Sequence, residues 1–151
     1  MNNSASDAAT SLSPGAILLI QLALALGGFA IGTGEFAIMG LMPNVAADLG
    51  VSEPQVGHVI SAYALGVVVG APVLALLGAR LPRRILLLLL MGCFALGNFA
   101  SALAPSYEPL LIFRFIAGLP HGAYFGIAML VAASMAPPHL SLIHISDGAR
   151  E

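Results

Sequence analysis

The chain has 151 residues, 59% hydrophobic and 8% charged, with a mean hydropathy of +0.98 and a net charge of -2. A soluble domain carries roughly 25% charged residues, so this chain cannot cover a water-facing surface and its solvent must be largely lipid. The small net charge and the lack of any basic face exclude nucleic acid as a partner; there is no lysine, and all five basic residues are arginines.

Residues 1–15 are small and polar, and they read as a disordered tail. They lack the positive n-region of a secretory signal, and the apolar run that follows is too long for one. It is therefore read as a retained first span, about 16–42, carrying Gln21, Glu35 and five glycines between Gly27 and Gly40. That exceeds the roughly 20 residues a helix needs to cross a bilayer, so the span is expected to tilt, bend or project. Residues 43–54 read as a polar connector. A second span, about 55–77, contains Gly66 and Gly70 four residues apart, with Pro72 as a possible kink. The loop GARLPRR follows, with Arg80, Arg83 and Arg84. The third span, 85–103, holds the single cysteine, Cys93, and one strongly polar residue, Asn98. Cys93 excludes an internal disulfide and reads as a small packing residue. Trp is absent, so an interfacial aromatic belt would rest on Tyr63, Tyr107 and phenylalanines. The fourth span, 110–134, reads LLIFRFIAGLPHGAYFGIAMLVAAS. Gly118, Gly122 and Gly126 follow Arg114 at four-residue spacing, which keeps them on one helix face. Such a ladder suits close helix packing, or a smooth wall for substrate passage.

Three of the five arginines lie between spans two and three, while the connectors on the opposite side carry only acids. The positive-inside rule puts the arginine loop and the N-terminus in the cytoplasm. Glu35 and Arg114 are the strongly charged groups within spans. Glu35 lies seven residues before Met42, and Arg114 seven residues after Tyr107. At a helical rise of 1.5 Å both then sit roughly 10 Å from the outer membrane face. Opposite charges at one depth suggest a pair or a shared cavity, because a lone charge in lipid is costly. In the functional reading Glu35 gains and loses a proton during a transport cycle, with Arg114 as its electrostatic partner. In the structural reading the pair fixes helix register, or Arg114 snorkels to the interface. His121, two turns from Arg114 on nearly the same face, could contact a substrate or relay protons, or simply bond to a neighbouring helix. His58 is expected near the outer interface. His58, His121 and Glu35 lack ligand spacing, so no metal site is expected. No Walker sequence points to ATP, no cofactor is indicated, and no nucleophile, base and orienting group occur together, so the chain does not read as an enzyme.

Three stretches carry a family resemblance: GTGEFAIMGLMPNVAADLGVS at 32–52, GAPVLALLGARLPRR at 70–84 and RFIAGLPHGAYFG at 114–126. Together they resemble the start of a major facilitator superfamily transporter, of the bacterial drug and sugar efflux branch that includes arabinose-efflux-like permeases. The resemblance covers about 16–139. It implies an all-α membrane fold in which these four helices open the six-helix N-terminal half of a twelve-helix protein. It also implies a monomeric transporter in the bacterial inner membrane that exchanges protons for a small sugar, drug-like or metabolite substrate. Helices one and four would line the central cavity, with His121, Gly118, Gly122 and Gly126 on its wall. The family's loop core, Asp-Arg-x-Gly-Arg-Arg, stands here as Ala79-Arg80-Leu81-Pro82-Arg83-Arg84. The conformational lock that this loop implies thus lacks its acid, although the arginines can still bind helix C-termini or lipid phosphates.

Leu140 to Ser146 reads LSLIHIS, which resembles a translation of CTGTCTCTTATACACATCT, a transposon end used in sequencing libraries. Residues 140–151 are accordingly expected to be a non-native tail and the chain an inactive fragment. Two other readings stand beside this one: a complete four-helix dimeric exporter of the small multidrug resistance type, and a membrane fragment that transports nothing.

Overall fold

A computed structural model describes residues 13–135. The expectations for the N-terminal tail before residue 13 and for residues 140–151 lie outside the described residues. Five helices follow in chain order: α1, Pro14–Gly40; α2, Met42–Leu49; α3, Glu53–Gly78; α4, Arg83–Ala102; and α5, Tyr107–Ser134. Among the described residues there is no strand. All but α2 are long and apolar enough to cross a membrane, so this is an all-α, multi-pass membrane chain.

The helix ends follow local chemistry. Ser13 caps α1, its hydroxyl accepting from the Ala16 amide at 3.3 Å, and Pro14 supplies the preset φ of a first turn. The connector expected at 43–54 is instead mostly the short helix α2. Pro43 sits in its first turn, and Gly50, at φ 63°, ends it in the left-handed region that glycine adopts without strain. The Ser52 amide donates to Gln55 Oε1 at 2.9 Å, half of the reciprocal cap that opens α3. The basic loop is shorter than expected, because α4 starts at Arg83. Arg83 and Arg84 therefore occupy its first turn, where no acid accompanies them. Cations are disfavoured by the helix dipole there, so helix stability does not explain them. Pro72 and Pro120 lie inside α3 and α5, and both helices run through them.

The helices alternate in direction. Residues from the start of α1 (Ile20, Leu24), the start of α4 (Arg83, Arg84) and the end of α5 (Val131, Ser134) gather around one groove, at one end of the bundle. At the other end His58 Nδ1 on α3 meets the Tyr107 hydroxyl on α5 at 3.3 Å. The central element is α5, which packs most extensively on α3 and next on α4. Glycines set both interfaces. A Cβ on Gly66 or Gly70 would strike the α5 backbone at Phe115 and Leu119, and one on Gly118 the α3 backbone at Tyr63. At Gly97 it would come within 2.8 Å of Ala117 Cα, across the α4–α5 interface. Such bare faces let helices approach where lipid offers no hydrophobic drive for association. The core consists of Ile31, Tyr63, Leu86, Leu90, Phe94, Ala117, Ala123, Tyr124, Ile127 and Ala128. Elsewhere the surface is apolar, with Phe29, Leu76 and Leu96 each more than 70% exposed, as a lipid-facing perimeter requires.

Helix α1 is held more sparingly; only Gly27 and Ile31 are buried along it. The Tyr124 hydroxyl donates to the Leu24 carbonyl at 3.1 Å, and its ring occupies the space that a Gly27 side chain would need. Beside this contact, α1, α4 and α5 enclose an apolar groove of about 810 Å³ with Arg83 and Arg84 at its end.

Candidate functional site

Arg114 is the buried charge of the described residues, with 3% of its surface exposed. It projects from the middle of α5 into the space where α1, α3 and α4 converge. Its Nη1 donates to the Gly34 carbonyl of α1 at 3.1 Å and to Asn98 Oδ1 of α4 at 3.3 Å. Its Cζ lies 4.2 Å from the centroid of the Tyr63 ring of α3, within the range of a cation–π contact. The guanidinium thus joins all four long helices.

Local sequence makes that placement possible. Arg114 reaches the α1 carbonyl because residue 34 is glycine; a Cβ there would lie 2.9 Å from the Phe94 ring and 3.4 Å from Asn98 Oδ1. Asn98 is turned for the task by its own amide, which donates to the Phe94 carbonyl one turn back at 2.9 Å and leaves Oδ1 as acceptor. Tyr63 shares a helix face with Gly66 and Gly70, three and seven residues on, and is 1% exposed. The expectation that it serves an interfacial belt is therefore corrected. The close approach of α3 to α5 that those glycines permit buries it beneath Arg114.

Glu35 is half-buried on α1, next to the residue whose carbonyl Arg114 engages. The two charges therefore lie at one level of the bundle. They do not form an ion pair: among the described residues Arg114 bonds to a carbonyl, an amide and a ring face. Its Nε and Nη2 are buried without a hydrogen-bond partner. An arginine seldom keeps two buried donors empty, and the Nε–Nη2 edge is the fork that takes a carboxylate through two parallel bonds.

His121, half-buried, accompanies Arg114 on α5 and is tied to Tyr63, with 3.0 Å between its Nδ1 and the tyrosine hydroxyl. Its ring also meets Phe125, centroid to centroid at 5.2 Å. The glycine ladder divides. Gly118 and Gly122 lie against α3, with Tyr63 O, Val67 O and Ala71 as their neighbours, whereas Gly126 is exposed, with open space where a Cβ would stand. None of His121, Gly118, Gly122 and Gly126 lines the 810 Å³ groove. Within the described residues Gly118 and Gly122 serve a helix contact, and Gly126 faces open space. Among the loop arginines, Arg83 and Arg84 border the groove and Arg80 is exposed. Among the described residues no cluster of His, Cys, Asp and Glu could hold a metal.

Tyr63 and Asn98 are the site residues that sequence reasoning missed. Tyr63 could have been found from its shared face with Gly66 and Gly70, and Asn98 from its isolation in an otherwise apolar span.

The family model of the Major Facilitator Superfamily matches residues 24–143. The chain belongs to that superfamily. The match takes in α1 from residue 24 and the other long helices whole, and continues beyond the described residues, four positions past residue 139. Membership in the Major Facilitator Superfamily displaces the small multidrug resistance alternative. Among curated relatives, the inner membrane transport protein YdhP of Escherichia coli is 52% identical over 118 residues, 78% of this chain and 30% of YdhP. The putative transporter AraJ of the same organism is 45% identical over 119 residues, again 30% of its length. A chloramphenicol resistance protein of Streptomyces lividans is 38% identical over 114 residues, or 29% of that protein. The chain thus spans about 30% of the length of the curated relatives it matches. No solved structure matches it significantly. The Arg114 site is therefore a polar centre buried among the four long helices of a Major Facilitator Superfamily chain.

Proposed function

We propose that this chain is part of a proton-coupled efflux transporter of the bacterial inner membrane, with its N-terminus in the cytoplasm. The transporter exports a small sugar, drug-like or metabolite molecule by alternating access and works as a monomer. The observation that carries this reading is the empty Nε–Nη2 edge of Arg114, buried where α5 meets α1 beside Glu35. An ionised Glu35 has a ready partner there, whereas a protonated one has none of comparable strength. Taking up a proton would then release α1 from α5, and losing it would draw them together. This is the kind of differential contact that a two-state cycle needs. Helix α1 suits the moving part, being the least buried of the long helices.

Efflux, rather than uptake, is supported by the printed descriptions of several relatives. They include the chloramphenicol resistance protein and a probable sugar efflux transporter of Helicobacter pylori, 32% identical over 120 residues. The cytoplasmic N-terminus is supported by Arg80, Arg83 and Arg84 at the end of the bundle that also holds the start of α1.

The test is Glu35→Gln in the complete protein, with export assayed as substrate accumulation inside inverted vesicles under an imposed proton gradient. Gradient-driven export should disappear while membrane insertion is unchanged. Undiminished export would remove Glu35 from the mechanism.

A further inference from the structure

Among the described residues Tyr63 is the one side chain that touches both Arg114 and His121 of α5. Its ring face carries the Arg114 guanidinium at 4.2 Å, and its hydroxyl lies 3.0 Å from His121 Nδ1. The two rings stand edge to face, with centroids 5.8 Å apart. Because Tyr63 is 1% exposed, its hydroxyl has little water to turn to. We propose that Tyr63 is a positioning residue that couples the protonation of His121 to the placement of Arg114. This rests on the reading above, in which Arg114 serves the proton cycle.

The coupling follows from hydrogen-bond inventory. A neutral imidazole can accept the tyrosine proton at Nδ1. An imidazolium carries N–H on both nitrogens and has no acceptor to offer. Protonating His121 therefore reverses the bond: Nδ1 donates, the hydroxyl accepts, and the hydroxyl proton must leave the line between the rings. The oxygen that was giving up its proton to an acceptor now gives electron density to a cation. The ring face becomes a poorer seat for Arg114. Arg114 has little else to hold it, namely the Gly34 carbonyl, Asn98 Oδ1 and two empty donors. A weaker ring contact frees the guanidinium to turn its empty edge towards a carboxylate.

Every charged or titratable group facing this cluster is accounted for among the described residues. Helix α1 contributes Glu35, α3 contributes Tyr63, and α5 contributes Arg114 and His121, while α4 supplies only the neutral Asn98. Glu35 is within electrostatic reach of both Arg114 and His121. A direct Glu35 effect on His121 must therefore be separated from one relayed through Tyr63.

The experiment is a double-mutant cycle on the complete protein, labelled with ¹⁵N-histidine in lipid nanodiscs. The imidazole signals of His121 are assigned by their loss in His121→Gln. With Tyr63 in place, Arg114→Gln should move the His121 titration midpoint by about half a pH unit or more, the scale of one net hydrogen bond. In the Tyr63→Phe background, which keeps the ring and its volume, the same substitution should move it less than half as far. If Arg114→Gln does not fold, Arg114→Lys keeps the charge, loses the planar stacking and gives the same comparison. An equal Arg114 effect in both backgrounds, or His121 signals indifferent to Tyr63→Phe, would overturn the proposal. Export by Glu35→Gln is followed alongside. Export that ignores Glu35 while the Tyr63 coupling persists would defeat the transport reading alone. Lost coupling with Glu35-dependent export would defeat the Tyr63 proposal alone.

Discussion

At the scale of single residues, the deciding feature is a buried arginine supplied with fewer acceptors than it has donors. Asn98 Oδ1 and the Gly34 carbonyl share one guanidinium nitrogen, and the Tyr63 ring supports the plane. Asn98→Leu removes half of that acceptor set while keeping the side chain's bulk. It should cost about 1–3 kcal/mol of stability, the penalty for leaving a buried donor less satisfied. The cost should be read as a lower unfolding temperature in detergent, and Asn98→Asp should not share it. An unchanged temperature for Asn98→Leu would mean that water already serves Arg114. Arg114→Ala asks a different question. If the guanidinium alternates between its present partners and Glu35, the pH profile of export in the complete protein should change as well as the rate. A uniform loss of rate at every pH would mark a purely structural arginine.

Charge pattern made Glu35, Arg114 and His121 legible in the sequence, because an ionisable residue inside an apolar span is conspicuous. Tyr63 was not legible in the same way. A tyrosine in a span is at home at the interface or in the core, and composition does not choose. Only the α3–α5 crossing, which puts residues far apart in sequence within hydrogen-bond distance, places its ring under the arginine and its hydroxyl against the histidine.

At the scale of elements, the α3–α5 crossing holds the site in register. Gly66 faces Gly118 across the crossing, and side chains added at Gly66, Gly70 or Gly118 would meet backbone, which cannot swing aside, while Gly122 lies against Ala71 and Val67. Gly118→Leu should therefore force the helices apart and destabilise the protein by at least the roughly 1–3 kcal/mol of ordinary overpacking. It should also displace Tyr63, whose carbonyl lies against Gly118. Gly126→Ala, with open space around it, should stay within about 0.5 kcal/mol of the parent. Thermal unfolding of the pair checks this, and equal losses would contradict the crossing described. The four-residue spacing was visible in the sequence, and its meaning differs along its length. Two of the three ladder glycines serve the contact, and the third emerges beyond it. Helix periodicity specifies a face, but which part of that face is covered depends on where the partner helix crosses.

The connector between α1 and α3 shows the same limit. Its polar composition suggested a coil, yet Pro43 in the first turn and Gly50 after the last are signals for a short helix's start and stop. Those start and stop signals outweigh the polarity of the segment. Arg83 and Arg84 moved from loop to helix because Pro82, which cannot donate, is well placed immediately before a first turn.

At the scale of the whole molecule, four alternating helices put three arginines at one end, and Asp48 of α2 with the first-turn Glu53 of α3 and Glu108 of α5 at the other. Arg83 and Arg84 stand where the α4 dipole disfavours them, and the proposed cytoplasmic N-terminus gives them a testable role in orientation and in attraction to anionic headgroups. Replacing Arg80, Arg83 and Arg84 together by alanine should yield a mixed population of orientations. The measurement uses a Cys93→Ala background carrying Ser106→Cys, labelled with a membrane-impermeant thiol reagent in intact cells. Position 106 should label from outside in the parent and only in part in the triple variant. Full labelling in both would show that the arginines do not set topology.

What the sequence by itself determined was the solvent, the number of membrane-spanning helices, the superfamily resemblance and the residues bearing charge. Each depends on composition or on spacing along one helix, and both are local properties. What only the tertiary structure decided was who meets whom. Arg114 lies beside Glu35 without pairing with it, and a tyrosine and an asparagine complete its surroundings. Two glycines of the ladder are used up in holding α5 against α3. Those facts depend on the crossing of helices in space. In lipid that crossing is set by the fit of small residues against backbone and by the need of a few buried polar groups for partners, neither of which can be read from one helix alone.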